Sequence, residues 1–166
     1  MEGAVNLVQL KKTKAQAKRY NTNMRRVVTR LETFSETRPR RSNDIHGDVG
    51  YTIALFAGDA PAAARLAEAL VAEGVSAHTR GPGAARDWHI YNYWEHLLEQ
   101  KTATPEGCPF TCPYYKGPRP KYRPDMCPAT LDLMSRAVFI HVNQWWNATD
   151  CRNVAAAVNK VCRVLG

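Results

Sequence analysis

Val49-Gly50-Tyr51-Thr52-Ile53-Ala54-Leu55-Phe56, followed closely by Asp59-Ala60-Pro61, is the stretch on which the fold turns. Its β-branched and aromatic residues predict a strand. Asp59 then has the right chemistry to cap a helix, with Pro61 in the first turn. Leu66, Ala67, Leu70 and Val71 recur at helical spacing and predict its buried stripe, and Gly74 ends it. Val75 to Thr79 reads as a second, short strand. Further on, Ala137-Val138-Phe139-Ile140-His141-Val142 reads as a third. A closing helix is expected from Asn147 or Thr149 to Leu165, burying Val154, Val158, Val161, Cys162 and Leu165.

Upstream, residues 1–31 read as one long helix. Ala17, Tyr20, Met24, Val27, Val28 and Leu31 fall on one stripe, with Lys18, Arg19, Arg25, Arg26 and Arg30 opposite. The first turns behave differently. Ala4, Val5, Leu7, Val8 and Leu10 point in nearly every direction around the axis, and no capping residue precedes Met1. A helix apolar all round needs burial on all sides, so this end is expected to lie against something else. The organisation predicted is a long helix over 1–35, a polar linker over 36–47, and a small domain over 48–166. The fold class is α+β: a β-α-β-(long loop)-β-α order, with a small sheet and helices on one side. The long loop, residues 80–130, holds most of the chain's prolines together with Trp88 and Trp94. Short helices are expected within it at Tyr91–Gln100 and Pro128–Ser135. Loops of such length inside a compact domain usually serve function or cover a partner.

The chain has 166 residues and a formal charge of +8. That length suffices for one domain with its own core. The charge is local: residues 1–41 carry eleven Lys and Arg against three Glu, and the remainder carries twelve of each sign. A basic helix face is more often a solvated side than a nucleic-acid surface, and no recognition motif accompanies it. No apolar run reaches membrane-spanning length, and the N-terminus lacks the order of a secretory signal. Five cysteines, an odd number, fit reduced thiols and a cytoplasmic protein.

Three constellations could carry chemistry. Cys108, Cys112 and Cys127 could offer zinc ligands, with His89, His96 or His141 as a fourth, but a second short cysteine pair is missing, and buried or free thiols are the simpler reading. Trp88-His89-Ile90-Tyr91-Asn92-Tyr93-Trp94-Glu95-His96 gathers rings and one carboxylate within nine residues. Trp88, His89, Tyr91, Tyr93, Trp94 and His96 are the candidate substrate-binding residues, since such a set can grip a sugar ring by stacking and hydrogen bonds. The competing reading is that they only pin the loop to the core. No catalytic residue, metal site or glycine-rich phosphate cradle is assigned. None of the eight lysines has the setting a Schiff-base lysine needs, a desolvated or electropositive pocket that lowers its pKa.

Glu2-Gly3-Ala4-Val5-Asn6-Leu7-Val8-Gln9-Leu10-Lys11-Lys12 resembles the helix start of the DegT–DnrJ–StrS family of sugar aminotransferases. There the pattern runs roughly Arg-Met-x-Glu-Leu-Gln-Gly-Ala-x-x-x-x-Gln-Leu. The later order is similar to that family's C-terminal small domain: the strand at 49–56, Glu73-Gly74-Val75, the aromatic loop from Trp88 to His96, Pro128-Ala129-Thr130, the strand at 137–142 and the closing helix. The resemblance implies a fold type I homodimer, pyridoxal phosphate, and amino transfer from glutamate or glutamine to a keto-sugar or keto-cyclitol, a nucleotide-sugar among the substrates. It also implies a large cofactor-binding domain as the partner of this helix. The family's Schiff-base lysine, pyridinium aspartate and ring-stacking aromatic lie upstream of that helix start. The chain is therefore expected to bind no cofactor alone and to act as the C-terminal part of such an enzyme. A stand-alone, non-catalytic sugar-binding or protein-interaction module is the alternative.

Overall fold

The computed structural model describes residues 2–81 and 83–165. Met1, with which the predicted first helix begins, lies outside the described residues. The elements run α1 (Glu2–Val28), β1 (Thr37–Pro39), β2 (Thr52–Ala57), α2 (Ala60–Ala72), β3 (Ala77–Thr79), a single 3₁₀ turn (Tyr91–Tyr93), α3 (Glu95–Leu98), α4 (Pro128–Ser135), β4 (Ala137–His141) and α5 (Ala148–Leu165). The protein is thus a mixed α+β fold with a long first helix and a small antiparallel sheet of order β1-β2-β4-β3. β2 and β3 both pair with β4 antiparallel, so they run parallel to each other with β4 between them. α2 joins them as the crossover of a split β-α-β unit.

Alternation along β2 decides the layers. Ile53, Leu55 and Ala57 face one way and enter the core with Val138 and Ile140 of β4. Met24 and Val27 of α1, Ala63, Leu66 and Leu70 of α2, and Cys151, Ala155, Val158 and Cys162 of α5 complete that core. Helix ends follow the chemistry expected of them. Asp59 accepts the Ala62 N–H at 2.7 Å, and Gly74 leaves α2 at φ +81°. At α5, Asn147 Oδ1 accepts from Thr149 N and Asp150 N while Asp150 Oδ2 accepts from Asn147 N at 2.8 Å, a reciprocal capping box. Gly50, at φ +74°, lets the chain pass under α1; a Cβ there would stand 2.9 Å from Met24 Cβ.

Several expectations need correction. The first helix ends at Val28, before Leu31 and well before residue 35. The linker 36–47 is not wholly irregular: β1 forms in it, with Thr37 opposite Ala57 and Pro39 opposite Leu55. Three residues, Thr37-Arg38-Pro39, carry too little apolar alternation to reveal a strand, and pairing to β2 supplies it. The strand expected from Val49 begins at Thr52, because Gly50 and the exposed Tyr51 lie in the turn beneath α1. Val71 and Leu165 are exposed rather than buried, and Ala63 takes the core position on α2. The helix expected at Tyr91–Gln100 divides at Trp94 into the 3₁₀ turn and α3.

Candidate functional site

The sheet's second face is the one turned away from α1, α2 and α5. Thr52, Ala54 and Phe56 of β2 alternate onto it, opposite His141, Phe139 and Ala137 of β4. Ala54 is nonetheless buried, because the loop after β3 folds back over it. Ile90, also buried, is the apolar anchor of that return.

One carboxylate organises the loop. Asp87 is buried and ion-paired with Arg80, the residue after β3. Its Oδ1 accepts the His89 backbone N–H at 2.9 Å and lies 2.7 Å from His89 Nδ1. A carboxylate of an ion pair only accepts, so the His89 Nδ1–H donates to it. The ring is otherwise free, with 94 % of the side chain exposed. Arg80 also sits over the Phe139 ring, 4.8 Å from its centroid. His78 also stacks with Phe139 at 5.5 Å and meets His141 at 4.8 Å. Burial, with the neighbouring His141 and Arg80, lowers the His78 pKa below the ordinary histidine value.

Between sheet and loop lies a groove of about 600 Å³, walled by Phe56, Phe139, Arg80, His89, Tyr91 and Trp94. Its size and mixed lining suit a small ring-bearing ligand. Tyr91 is fixed: its hydroxyl donates to Pro124 O at 2.8 Å and accepts from Cys127 N at 2.9 Å. Trp94 is fixed by its Nε1–H on Trp88 O at 2.6 Å. His89, Tyr91 and Trp94 thus line one groove. Trp88 stands outside the groove, with Arg86 6.0 Å from its ring. His96 is also outside, stacked on Trp94 at 6.5 Å. Tyr93 is half-buried in the 3₁₀ turn and does not line the groove. The residues missed in the sequence are Arg80 and Asp87. Their signal was a cation and an anion at the two ends of a glycine-bearing turn.

No three His, Cys, Asp or Glu among the described residues come together to hold a metal ion. Cys108 and Cys127 are exposed, while Cys151 and Cys162 are core residues whose thiols burial pushes up in pKa. Pyridoxal phosphate does not fit the lysines present. All eight are exposed. Lys101 is paired with Glu99 at 2.5 Å, which raises its pKa, the opposite of what an imine-forming lysine requires. Lys116 and Lys160 are tied to Pro113 O and to Glu73. No helix among the described residues is long and apolar enough to cross a membrane.

No protein-family model matches the chain, and no curated protein matches it.

Proposed function

We propose that this chain serves as the C-terminal small domain of a pyridoxal-phosphate-dependent sugar aminotransferase, contributing a substrate wall rather than the reacting groups. One observation carries the reading. The first turns of α1 stand clear of the domain, and Val5, Leu7, Val8 and Leu10 are all about half exposed or more, Leu10 at 69 %. Apolar side chains around a whole helical circumference call for a covering body. The stretch that bears them, Glu2 to Lys12, is also the one most similar to the aminotransferase helix start. In this reading a large domain carrying the cofactor lysine covers α1, and the groove of His89, Tyr91 and Trp94 holds the keto-sugar ring. Indole and phenol faces take its C–H surface, and the exposed His89 ring hydrogen-bonds a hydroxyl through Nε2.

The test is reconstitution. The chain is mixed with a lysine-bearing large domain of that family, and amino transfer from glutamate to a keto-sugar is followed. Activity that requires both parts and falls at least ten-fold on Trp94→Ala supports the reading. Absence of any complex by sedimentation overturns it. The groove is built wholly from this chain, which favours the sugar-binding module as the second reading. Sugar binding by the chain alone, with no complex, would select it.

A further inference from the structure

A second hollow lies on the helical side of the sheet, between α1 and the turn joining β4 to α5. It measures about 420 Å³ and is walled by Lys18, Arg19 and Arg26 of α1 and by Gln144, Trp145 and Trp146 of the turn. One side chain sets its shape. Asn23 is buried, and its Nδ2 is shared among the carbonyls of Asn143 at 3.0 Å, Trp146 at 3.0 Å and Gln144 at 3.4 Å. The turn is thereby tied to the helix, and the wall is preformed.

The lining is unbalanced in two respects. Lys18, Arg19 and Arg26 form no ion pair among the described residues. Arg26 donates only weakly, to Asn23 Oδ1 at 3.3 Å. Arg19 rests 4.6 Å from the Trp145 ring centroid, which positions its charge at the hollow's rim. Three cations converging without a carboxylate make a field that selects an anion. The second imbalance is Gln144 Oε1, which is buried and has no hydrogen-bond partner. Buried acceptors are rarely left so, and the residue that carries this one lines both this hollow and the neighbouring one. Beside it, Trp145 leaves 70 % of its surface exposed, a flat apolar plane with no structural duty in the core.

We propose that this hollow binds a nucleoside monophosphate. Guanidinium groups and an ammonium suit the phosphate oxygens. The Trp145 indole offers stacking surface to the base. A volume near 420 Å³ matches a small-ligand site rather than a track for a strand. A neighbouring hollow that shares Trp145 and Trp146 contains Asp150, whose charge opposes a continuing phosphate backbone. The site is on the opposite side of the sheet from the aromatic groove and does not depend on the aminotransferase reading.

Calorimetric titration of the full chain at low salt tests this, with AMP, adenosine, inorganic phosphate and a single-stranded oligothymidylate as probes. AMP should bind in the submillimolar range, at least ten-fold more tightly than adenosine or inorganic phosphate. Lys18 and Arg19 are exposed, so the K18Q/R19Q double variant should fold normally and lose at least ten-fold in AMP affinity. Trp145→Ala should weaken AMP more than it weakens inorganic phosphate, because it removes the stacking plane as well as the rest for Arg19. Equal affinity for AMP and inorganic phosphate would overturn the proposal, as would unchanged AMP binding in the double variant. Tighter binding of the oligonucleotide per nucleotide than of AMP would also overturn it, and would point to a polymer surface.

Discussion

Glu32, four residues past the end of α1, gives its backbone N–H to Asn159 Oδ1 of α5 at 3.0 Å. Asn159, a buried residue, donates back from Nδ2 to Arg30 O at 2.9 Å. It thus satisfies two main-chain groups where the chain leaves α1. Asn159→Ala should lower stability by about 1–3 kcal/mol, the range for stranding a buried polar group. Urea unfolding measures it. Arg163→Gln breaks only the exposed pair to the Glu32 carboxylate and should cost clearly less.

His78 should make stability depend on pH. Its pKa in the folded protein is lowered by burial and by His141 and Arg80. The unfolded chain therefore takes up a proton that the folded one resists. Stability should hold above about pH 7 and fall as pH descends through about 6.5 toward the folded value. His78→Gln should flatten that part of a plot of Tm against pH. An unchanged slope would assign the dependence to another group.

The exposed first turns of α1 should make the chain self-associate when nothing covers them. Each Val or Leu side chain fully buried in such a contact contributes about 1.5–3 kcal/mol. Replacing Leu7 and Leu10 by Glu should shift sedimentation toward monomer and leave the core melting unchanged, because neither residue belongs to that core. Monodisperse wild-type monomers would remove the physical support for a covering domain.

Incubation with pyridoxal phosphate and borohydride should leave no stoichiometric adduct on any one lysine. Every lysine is exposed, and Lys101 is held protonated by Glu99. Intact-mass analysis followed by peptide mapping decides it. A single fully modified lysine would show a reactive setting that these surroundings do not provide.

Tyr91→Phe should loosen the proline-rich loop without touching the sheet. The hydroxyl is the link between the 3₁₀ turn and the segment at Pro124 and Cys127. Limited proteolysis should cut between residues 101 and 127 several-fold faster in the variant, with the core fragments intact.

What the sequence made legible followed local chemistry. Asp59, Pro61 and Gly74 bracketed α2 because caps and breakers act within a few residues. β2, β4 and α5 were readable from apolar periodicity. β1 was not, since a strand of three residues exists only through its partner. His89, Tyr91 and Trp94 were legible as a cluster because they are close in sequence. Arg80 and Asp87 gained meaning only when the loop returned over Ala54 and closed the ion pair. Gln144, Trp145 and Lys18 meet across more than a hundred positions, and no spacing rule reaches that far.

The sheet has two free margins, and both are brief. β1 and β3 each span three residues, and β1 ends on Pro39, which has no N–H to offer. Arg38 and Arg40 flank that proline with charge. Short, charged and donor-poor rims give an incoming strand little to pair with. Fibril-like growth through the sheet is thereby disfavoured, which leaves the helix and loop surfaces as the better places for this protein to assemble.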